Sequence, residues 1–347
     1  MAGDGYRVGV LGATGLVGTA IIELLAQRGF PVAELRPLAS ERSAGKTIEF
    51  GSKVLTVQAV GDESIQGLDL VLSSAGGSVS AEWTPKLVEA GATVVDNTSY
   101  WRMHDDVPLV VAEVNPEALE GHRGIVANPN CSTMQMVVAL KPLYDAAGIE
   151  RLVISTYQAV SGTGKGAIDE LRAQARAVVG GYDVPPSQIY PHQIAFNALP
   201  QAGGFPDGDD HTDEERKLIN ETRKILGDAG IRVSATCIRV PVETGHSEAV
   251  NVETREPLDP ERARELLAAA PGVTVVDDPA AGRYPMAIDA AGKDDVFVGR
   301  IRRDPGNERA LDIWVVSDNL RKGAATNAVQ LAELLIDRDL LTRSRPR

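Results

Sequence analysis

The run Asn128-Pro129-Asn130-Cys131-Ser132-Thr133 sets a thiol between an apolar segment, Gly124 to Ala127, and an amphipathic one, Met134 to Ala147. At such a switch from strand to helix, unpaired backbone N–H groups and the positive end of the helix dipole favour thiolate over thiol. Cys131 is therefore a candidate nucleophile, the alternative being the small buried hydrophobe that most free cysteines are. The chain has one other cysteine, Cys237, so a disulfide framework does not account for this thiol. Three more residue types complete the chemistry. Gln158 ends an apolar run and precedes Ala159 to Gly166, a loop flexible enough to lie on a cofactor. Arg239 stands in Thr236 to Val242, where a guanidinium must be paired or must face a site, and its fixed fork suits a carboxylate. His246, at the turn into the next strand, is one of five histidines. It is either structural or the acid/base partner of the thiolate.

These residues need elements to hold them. Tyr6 to Leu11 reads as a buried strand, Gly12-Ala13-Thr14-Gly15-Leu16-Val17-Gly18 follows at once, and Val17, Ile21, Leu24, Leu25 and Arg28 mark a helix ended by Gly29. Glycines at 12, 15 and 18 between strand and helix give what a dinucleotide pyrophosphate requires: a tight turn, close backbone approach and a helix N-terminus. The spacing departs from G-x-G-x-x-G, with Thr14 inside a two-residue first gap. The next strand, Ala33 to Leu38, ends in Ser40, Glu41, Arg42 and Ser43. Hydroxyls and an arginine there favour a 2′-phosphate, hence NADP; Glu41 argues for NAD, and a solvated turn is the remaining reading.

Strand patterns at Val54 to Val57, Leu68 to Leu72 and Thr93 to Val95, with a helix from about Ala81 to Ala90, predict a mostly parallel, doubly wound Rossmann-type sheet over residues 1–131. Ligands bind such sheets at the carboxyl ends of the strands, where Gly12, Ser73 to Gly77 and Cys131 all fall. Residues 132–318 read differently. Leu152 to Gln158, Val233 to Val240, Ala249 to Thr254, Val273 to Val276, Val296 to Ile301 and Leu311 to Val316 are strand-like, with helical patterns at Ile168 to Val179, Asp213 to Leu226 and Pro260 to Ala269. This predicts an α+β second domain with a mainly antiparallel sheet covered by helices on one face. A last helix, Ala324 to Leu340 within residues 319–345, is expected to return to the first domain; residues 184–211 carry no recognisable motif.

A length of 347 residues exceeds one ordinary core, so two domains are expected. No segment approaches the roughly 20 apolar residues of a membrane span, the start lacks a signal-peptide pattern, and two cysteines suit a reducing compartment, so the expected location is cytoplasmic. A net charge of −13 opposes nucleic-acid or anionic-membrane binding. An anionic substrate must then be held by a few placed cations.

Gly12 to Gly18, Asn130 to Thr133, Tyr157 to Gly162, Ile238 to Val242, Gly245-His246-Ser247 and Asp318 to Ala325 occur in the order found in the aspartate-semialdehyde dehydrogenases. The chain resembles that family over nearly its whole length. The resemblance implies a homodimer that reduces L-4-aspartyl phosphate to L-aspartate 4-semialdehyde with NADPH, releasing phosphate, on the route to lysine, threonine, methionine and diaminopimelate. It implies Cys131 as the nucleophile that forms an acyl-thioester, His246 as acid/base, Gln158 orienting the acyl group and Arg239 gripping the substrate α-carboxylate. Arg102 and Lys217 would hold phosphate, Glu214 the substrate ammonium, and Asn130 belongs with the substrate residues. Gly12, Thr14, Gly15, Leu16, Val17, Gly18, Ser40, Arg42, Ser43, Ser161, Gly162 and Asn319 would lie at NADP, and no metal is implied. Glu214, Lys217, Glu221 and Lys224 also fit a solvated helix stripe, and Arg102 a guanidinium stacked on Trp101. The rivals are an N-acetylglutamyl-phosphate reductase, which has no charged amine for Glu214, a glyceraldehyde-phosphate type dehydrogenase, which has no need of Arg239, and a non-catalytic NADP-binding regulator.

Overall fold

Strand β1 (Tyr6–Leu11) is apolar on both faces, and such a strand is stable only inside a sheet covered on both sides. The computed structural model describes residues 5–341 and puts β1 there. It pairs in parallel with β2 (Val32–Ala39) on one side. A short antiparallel ribbon of β3 (Thr47–Phe50) and β4 (Lys53–Thr56) follows, then β5 (Gln58–Ala59) beside β2. On the other side of β1 lie β6 (Leu70–Ser73), β7 (Thr93–Asp96) and β8 (Ile125–Ala127), giving the all-parallel order β5-β2-β1-β6-β7-β8. Residues of alternate parity fill two cores. Val8, Val10, Leu70 and Leu72 face α1 (Leu16–Gln27), while Leu11, Val71 and Val94 lie with Leu87 of α2 (Gly77–Glu89). The expected strand at Val54 to Val57 is real but lies outside the parallel sheet. Its residues are largely exposed, and Gly51, at φ +57°, turns it back on β3 as a hairpin.

The chain divides into two compact units, Asn130–Gly323 and a unit formed by residues up to Pro129 with those from Ala324 on. The second unit opens with α3 (Cys131–Ala147), three residues before the expected start at Met134. Next come β9 (Ile149–Gln158), α4 (Lys165–Gly180), α5 (Asp213–Leu226), β10 (Arg232–Arg239), β11 (His246–Thr254) and α6 (Pro260–Ala269). Then follow β12 (Val273–Val275), the one-turn α7 (Ala287–Ala290), β13 (Val296–Asp304) and β14 (Asn307–Ser317). The sheet order is β10-β9-β11-β14-β13-β12; β9–β11, β11–β14 and β13–β14 are antiparallel, while β9–β10 and β12–β13 are parallel. Helix α3 packs on β9, β11 and β14, α5 on β10, and α6 on β12 and β13.

A π-helical turn at Arg321–Thr326, within which the chain passes from the second unit to the first, leads into α8 (Asn327–Asp337), whose Ala328, Val329 and Leu331 join the α1 core. This helix stops short of the expected Leu340, because the chain turns at Arg338 and Asp339, the latter at φ +55°. The part of the expectation beyond residue 341 lies outside the described residues. No helix among the described residues is long and apolar enough to cross a membrane.

Candidate active site

Register places the chemistry of the second unit in one line. Arg239, the last residue of β10, is opposite Gln158, the last of β9; Ser247 is opposite Tyr157, which sets His246 beside Gln158; and His246 is opposite Ser317. Side chains of directly paired residues project to the same face. Arg239, Gln158, His246 and Ser317 thus form a row across four strands, all buried at 6% exposure or less. His246 is the first residue of β11, not part of the turn before it.

The thiol comes from the helix laid on that face. Cys131 is the first residue of α3, and Asn130 caps the helix, its Oδ1 accepting from the Ser132 and Thr133 N–H groups at 3.0 and 3.2 Å. A 17-residue helix with a good cap directs the positive end of its dipole at Cys131. Asn130 is itself fixed: its N–H donates to Glu221 Oε2 at 2.7 Å and its Nδ2 to Glu214 Oε1 at 2.8 Å. Room for the cysteine comes from Gly323, where an added Cβ would stand 2.8 Å from Cys131 Cβ. Cys237 is fully buried, and burial pushes its thiol far up, so it packs the core.

Glu214 joins the helix to the row. Gln158 Nε2 donates to its Oε1 at 3.3 Å, and Lys217 Nζ lies 3.0 Å from its Oε2. Burial opposes a charge on Glu214, yet Lys217, Asn130 and Arg239 outweigh burial and hold the carboxyl down at about 2. The solvated-stripe reading of this helix is therefore corrected. Glu214 is 7% and Glu221 1% exposed, because that face of α5 packs against α3 instead of water. Glu221, which supports the cap of the helix that begins with Cys131, had no assigned role in the sequence.

The backbone of Ala159 orients the other two groups. Its carbonyl accepts from Arg239 Nη1 at 2.8 Å, leaving the buried Nε of that arginine without a partner among the described residues. Its N–H donates to His246 Nδ1 at 3.0 Å. A ring nitrogen that accepts from an amide carries no proton, so neutral His246 is protonated at Nε2. That Nε2 is buried and unpartnered among the described residues, and burial, helped by Arg239, pushes the imidazole down to about 3. His246 is thus a neutral donor aimed at whatever binds in the row. Gly162 borders the same atoms, an added Cβ lying 3.2 Å from Arg239 Nη1 and 3.3 Å from His246 Nε2. Asn319 Nδ2 donates to Ser161 Oγ at 2.9 Å and its Oδ1 accepts from the Gly245 N–H at 2.9 Å, which ties this loop down. One strand step below the row, Glu248 is fully buried, and burial pushes its carboxyl well above the usual range.

The first unit carries the remaining candidates. Gly12, at φ +86°, has no room for a side chain against the Ser74–Ala75 backbone, and a Cβ on Gly18 would collide with Gly12 O. Gly15 begins α1 with no side chain capping it, so the N–H groups of Leu16, Val17 and Gly18 are presented at the end of β1. This cradle fits a dinucleotide pyrophosphate. Ser40, Arg42 and Ser43 lie in a short 3-10 turn after β2; Ser40 and Arg42 are exposed, and Ser43 Oγ is 3.5 Å from Thr14 Oγ1. That set suits a 2′-phosphate beside the glycine turn. Arg102 is 7% exposed and does not depend on Trp101 for its place, since its Nε and Nη2 donate to the carbonyls of Asn128 and Asn97.

Comparison with known proteins identifies the family. Residues 7–122 match the semialdehyde dehydrogenase NAD binding domain, and residues 140–322 the semialdehyde dehydrogenase dimerisation domain. The aspartate-semialdehyde dehydrogenase of Aquifex aeolicus is 56% identical over 340 residues, 97% of this chain and 100% of the relative. The crystal structure of aspartate semialdehyde dehydrogenase II from Vibrio cholerae complexed with ASA superposes with a TM-score of 0.93 at 49% identity, over 96% of this chain and 99% of that one. The Candida albicans enzyme with NADP superposes at 0.74 and 28% identity, over 97% of this chain and 100% of that one. The chain belongs to the aspartate-semialdehyde dehydrogenase family.

Proposed function

We propose that the protein reduces L-4-aspartyl phosphate to L-aspartate 4-semialdehyde with NADPH, releasing phosphate, and that it works as a homodimer through the residues that match the dimerisation domain. The observation that carries the substrate assignment is Glu214. A buried carboxylate kept charged beside Gln158 and Arg239 is matched to an ammonium and a carboxylate on one small substrate. An N-acetylated amine carries no charge to pair with that carboxylate.

The Cys131 thiolate attacks the acyl carbon, the new C–S bond forming as phosphate leaves. Arg239 grips the α-carboxylate, Glu214 the ammonium, and Asn130 holds Glu214 in place. Lys217 and Arg102 are the phosphate cations. Bound NADPH supplies the hydride that takes the thioester to the aldehyde level. Gly12 to Gly18 with Thr14, Ser40, Arg42 and Ser43 hold the cofactor in the first unit, and Ser161, Gly162 and Asn319 serve it from the second. Gln158 orients the acyl group, the oxyanion on the former acyl carbon meets the Nε2–H of His246, and its collapse returns the thiolate. One such donor is typically worth about 3 to 4 kcal/mol.

The test is the reverse reaction, followed at the nicotinamide absorbance band with aspartate semialdehyde, phosphate and NADP. Phosphate-dependent reduction of NADP is the expected result. Turnover of N-acetylglutamate semialdehyde in its place, or of neither aldehyde, would refute the assignment.

A further inference from the structure

Residues 184–211, which carry no motif, are partly built into the edge of the second sheet. Leu199 and Arg239 exchange backbone hydrogen bonds, Leu199 N to Arg239 O at 2.9 Å and Arg239 N to Leu199 O at 2.8 Å, and Ala202 N donates to Cys237 O at 3.1 Å. The stretch therefore pairs with β10 on its open edge, at the end that bears Arg239. Tyr190, Ile194, Ala195 and Leu199 are buried in one cluster with Val160, Ala167 and Leu171. Val160 opens the 3-10 turn Val160–Thr163 that carries Ser161 and Gly162, while Ala167 and Leu171 belong to α4.

Polar contacts complete the join. Tyr190 Oη donates to Thr163 Oγ1 at 2.9 Å, and Gln174 Oε1 accepts from the N–H groups of Ile194 and Ala195 at 3.0 and 3.3 Å. Connecting segments usually run solvated over the surface. This one buries apolar side chains and grips two parts of the site, the strand end that bears Arg239 and the turn next to Ala159, whose backbone orients both Arg239 and His246.

We propose that residues 190–202 form a strut that fixes Arg239 relative to the Val160–Thr163 turn, with Leu199 as a positioning residue that acts through Arg239. The proposal rests on the reading of Arg239 as the grip on the substrate α-carboxylate. Truncation at Leu199 empties the point where the strut meets both the strand end and the cluster, and a misplacement of about 1 Å is enough to spoil a bidentate alignment.

The experiment is a double-mutant cycle on the full-length enzyme. Leu199→Ala is expected to raise KM for aspartate semialdehyde by about tenfold while KM for phosphate and NADP stays within about twofold. In an Arg239→Lys background the same substitution is expected to add less than about twofold, because the fork it positions is gone. An unchanged KM, a parallel rise in all three KM values, or full additivity in the two backgrounds would overturn the strut. A nearly silent Arg239→Lys would remove the reading of Arg239 itself, and the strut's function with it. Should Leu199→Ala fail to fold, Tyr190→Phe, which deletes only the hydroxyl bonded to Thr163, carries the same cycle with an expected rise of about threefold. A lowered melting temperature with no change in KM would overturn the proposal there.

Discussion

Substituting Gly323 by alanine tests whether Cys131, the proposed nucleophile, is held by packing as well as by its helix. A methyl group there would stand 2.8 Å from Cys131 Cβ and 3.3 Å from its Cα. Carbon atoms pack at about 3.5 to 4.0 Å, so one side must retreat by about 0.7 Å or more. Gly323 is tied by its N–H to Asp318 O at 3.0 Å, and Cys131 follows Asn130, which Glu214 and Glu221 hold. Neither side can move freely, and because no side-chain rotation moves Cβ or Cα, the start of the helix is pushed back and carries the sulfur with it. A reacting atom displaced by about 1 Å costs on the order of 10²-fold in rate, so kcat should fall by about 10- to 100-fold, beside an overpacking cost of about 1 to 3 kcal/mol in stability. The assay is NADP reduction at saturating aldehyde and phosphate, with alkylation of Cys131 measured against pH in a Cys237→Ser background. Alkylation near neutral pH should slow and its midpoint rise as sulfur leaves the helix end. A kcat within about threefold of the parent and an unchanged alkylation profile would show that the methyl is accommodated and that Gly323 does not position the thiol.

Three other perturbations probe separate parts of the arrangement. Cys131→Ser should abolish phosphate-dependent turnover while NADP binding survives, and Cys237→Ser should be mild; equal damage from both would leave the nucleophile unassigned. Arg42→Ala should weaken NADP far more than NAD through loss of a charge-assisted bond worth about 1.5 to 3 kcal/mol, and equal loss for both in a titration of cofactor binding would make Arg42 structural. The Glu214 carboxyl, brought from 4.5 to about 2 on folding, contributes stability that is present above pH about 4.5 and is lost as pH falls toward about 2. That difference is on the order of 3 kcal/mol, so Glu214→Gln should flatten the acid limb of a urea-stability curve, and parallel limbs would remove Glu214 as its source.

The sequence was legible where a single element carried its own signal. Thr212 with Glu215 forms a capping box and Gly227 a left-handed stop, so α5 falls where its pattern predicts, at Asp213–Leu226. The same holds for β1 and α6, whose boundaries are set by residues a few positions away. Helix α3 starts before its apolar periodicity, which begins at Met134, because the cap that defines the helix is the polar Asn130. Lys53 to Thr56 has the composition of a strand, but only Gly51 and the exposed faces distinguish a ribbon from a sheet member. Glu221, Glu248 and Gly323 were missed for a related reason. Their importance lies in what long-range packing brings against them, and one sequence carries no trace of it. Gly323, inside the helical run Arg321 to Asp337, was the one available signal, since glycine weakens helices unless a close approach requires it.

The mutual placement of the proposed site groups had to come from register, and register also bears on their proposed roles. Arg239, Gln158 and His246 each end or begin a strand, which was visible, but only the pairing of β10, β9 and β11 makes them neighbours across about 90 positions of chain. The same strand ends bring Ala159 between Arg239 and His246, and its N–H fixes the imidazole tautomer. A histidine so fixed cannot readily take the thiol proton at Nε2, because that nitrogen already carries one. The proposed reaction does not ask it to. Thiolate attack expels phosphate, which takes from solvent the one proton that the reduction consumes, and collapse of the tetrahedral oxyanion returns thiolate, so the ring itself gains and loses no proton. What the chemistry requires is a thiol ionised by its helix end and a neutral donor facing the oxyanion, and an imidazole pushed down to about 3 by burial is such a donor across the whole neutral range.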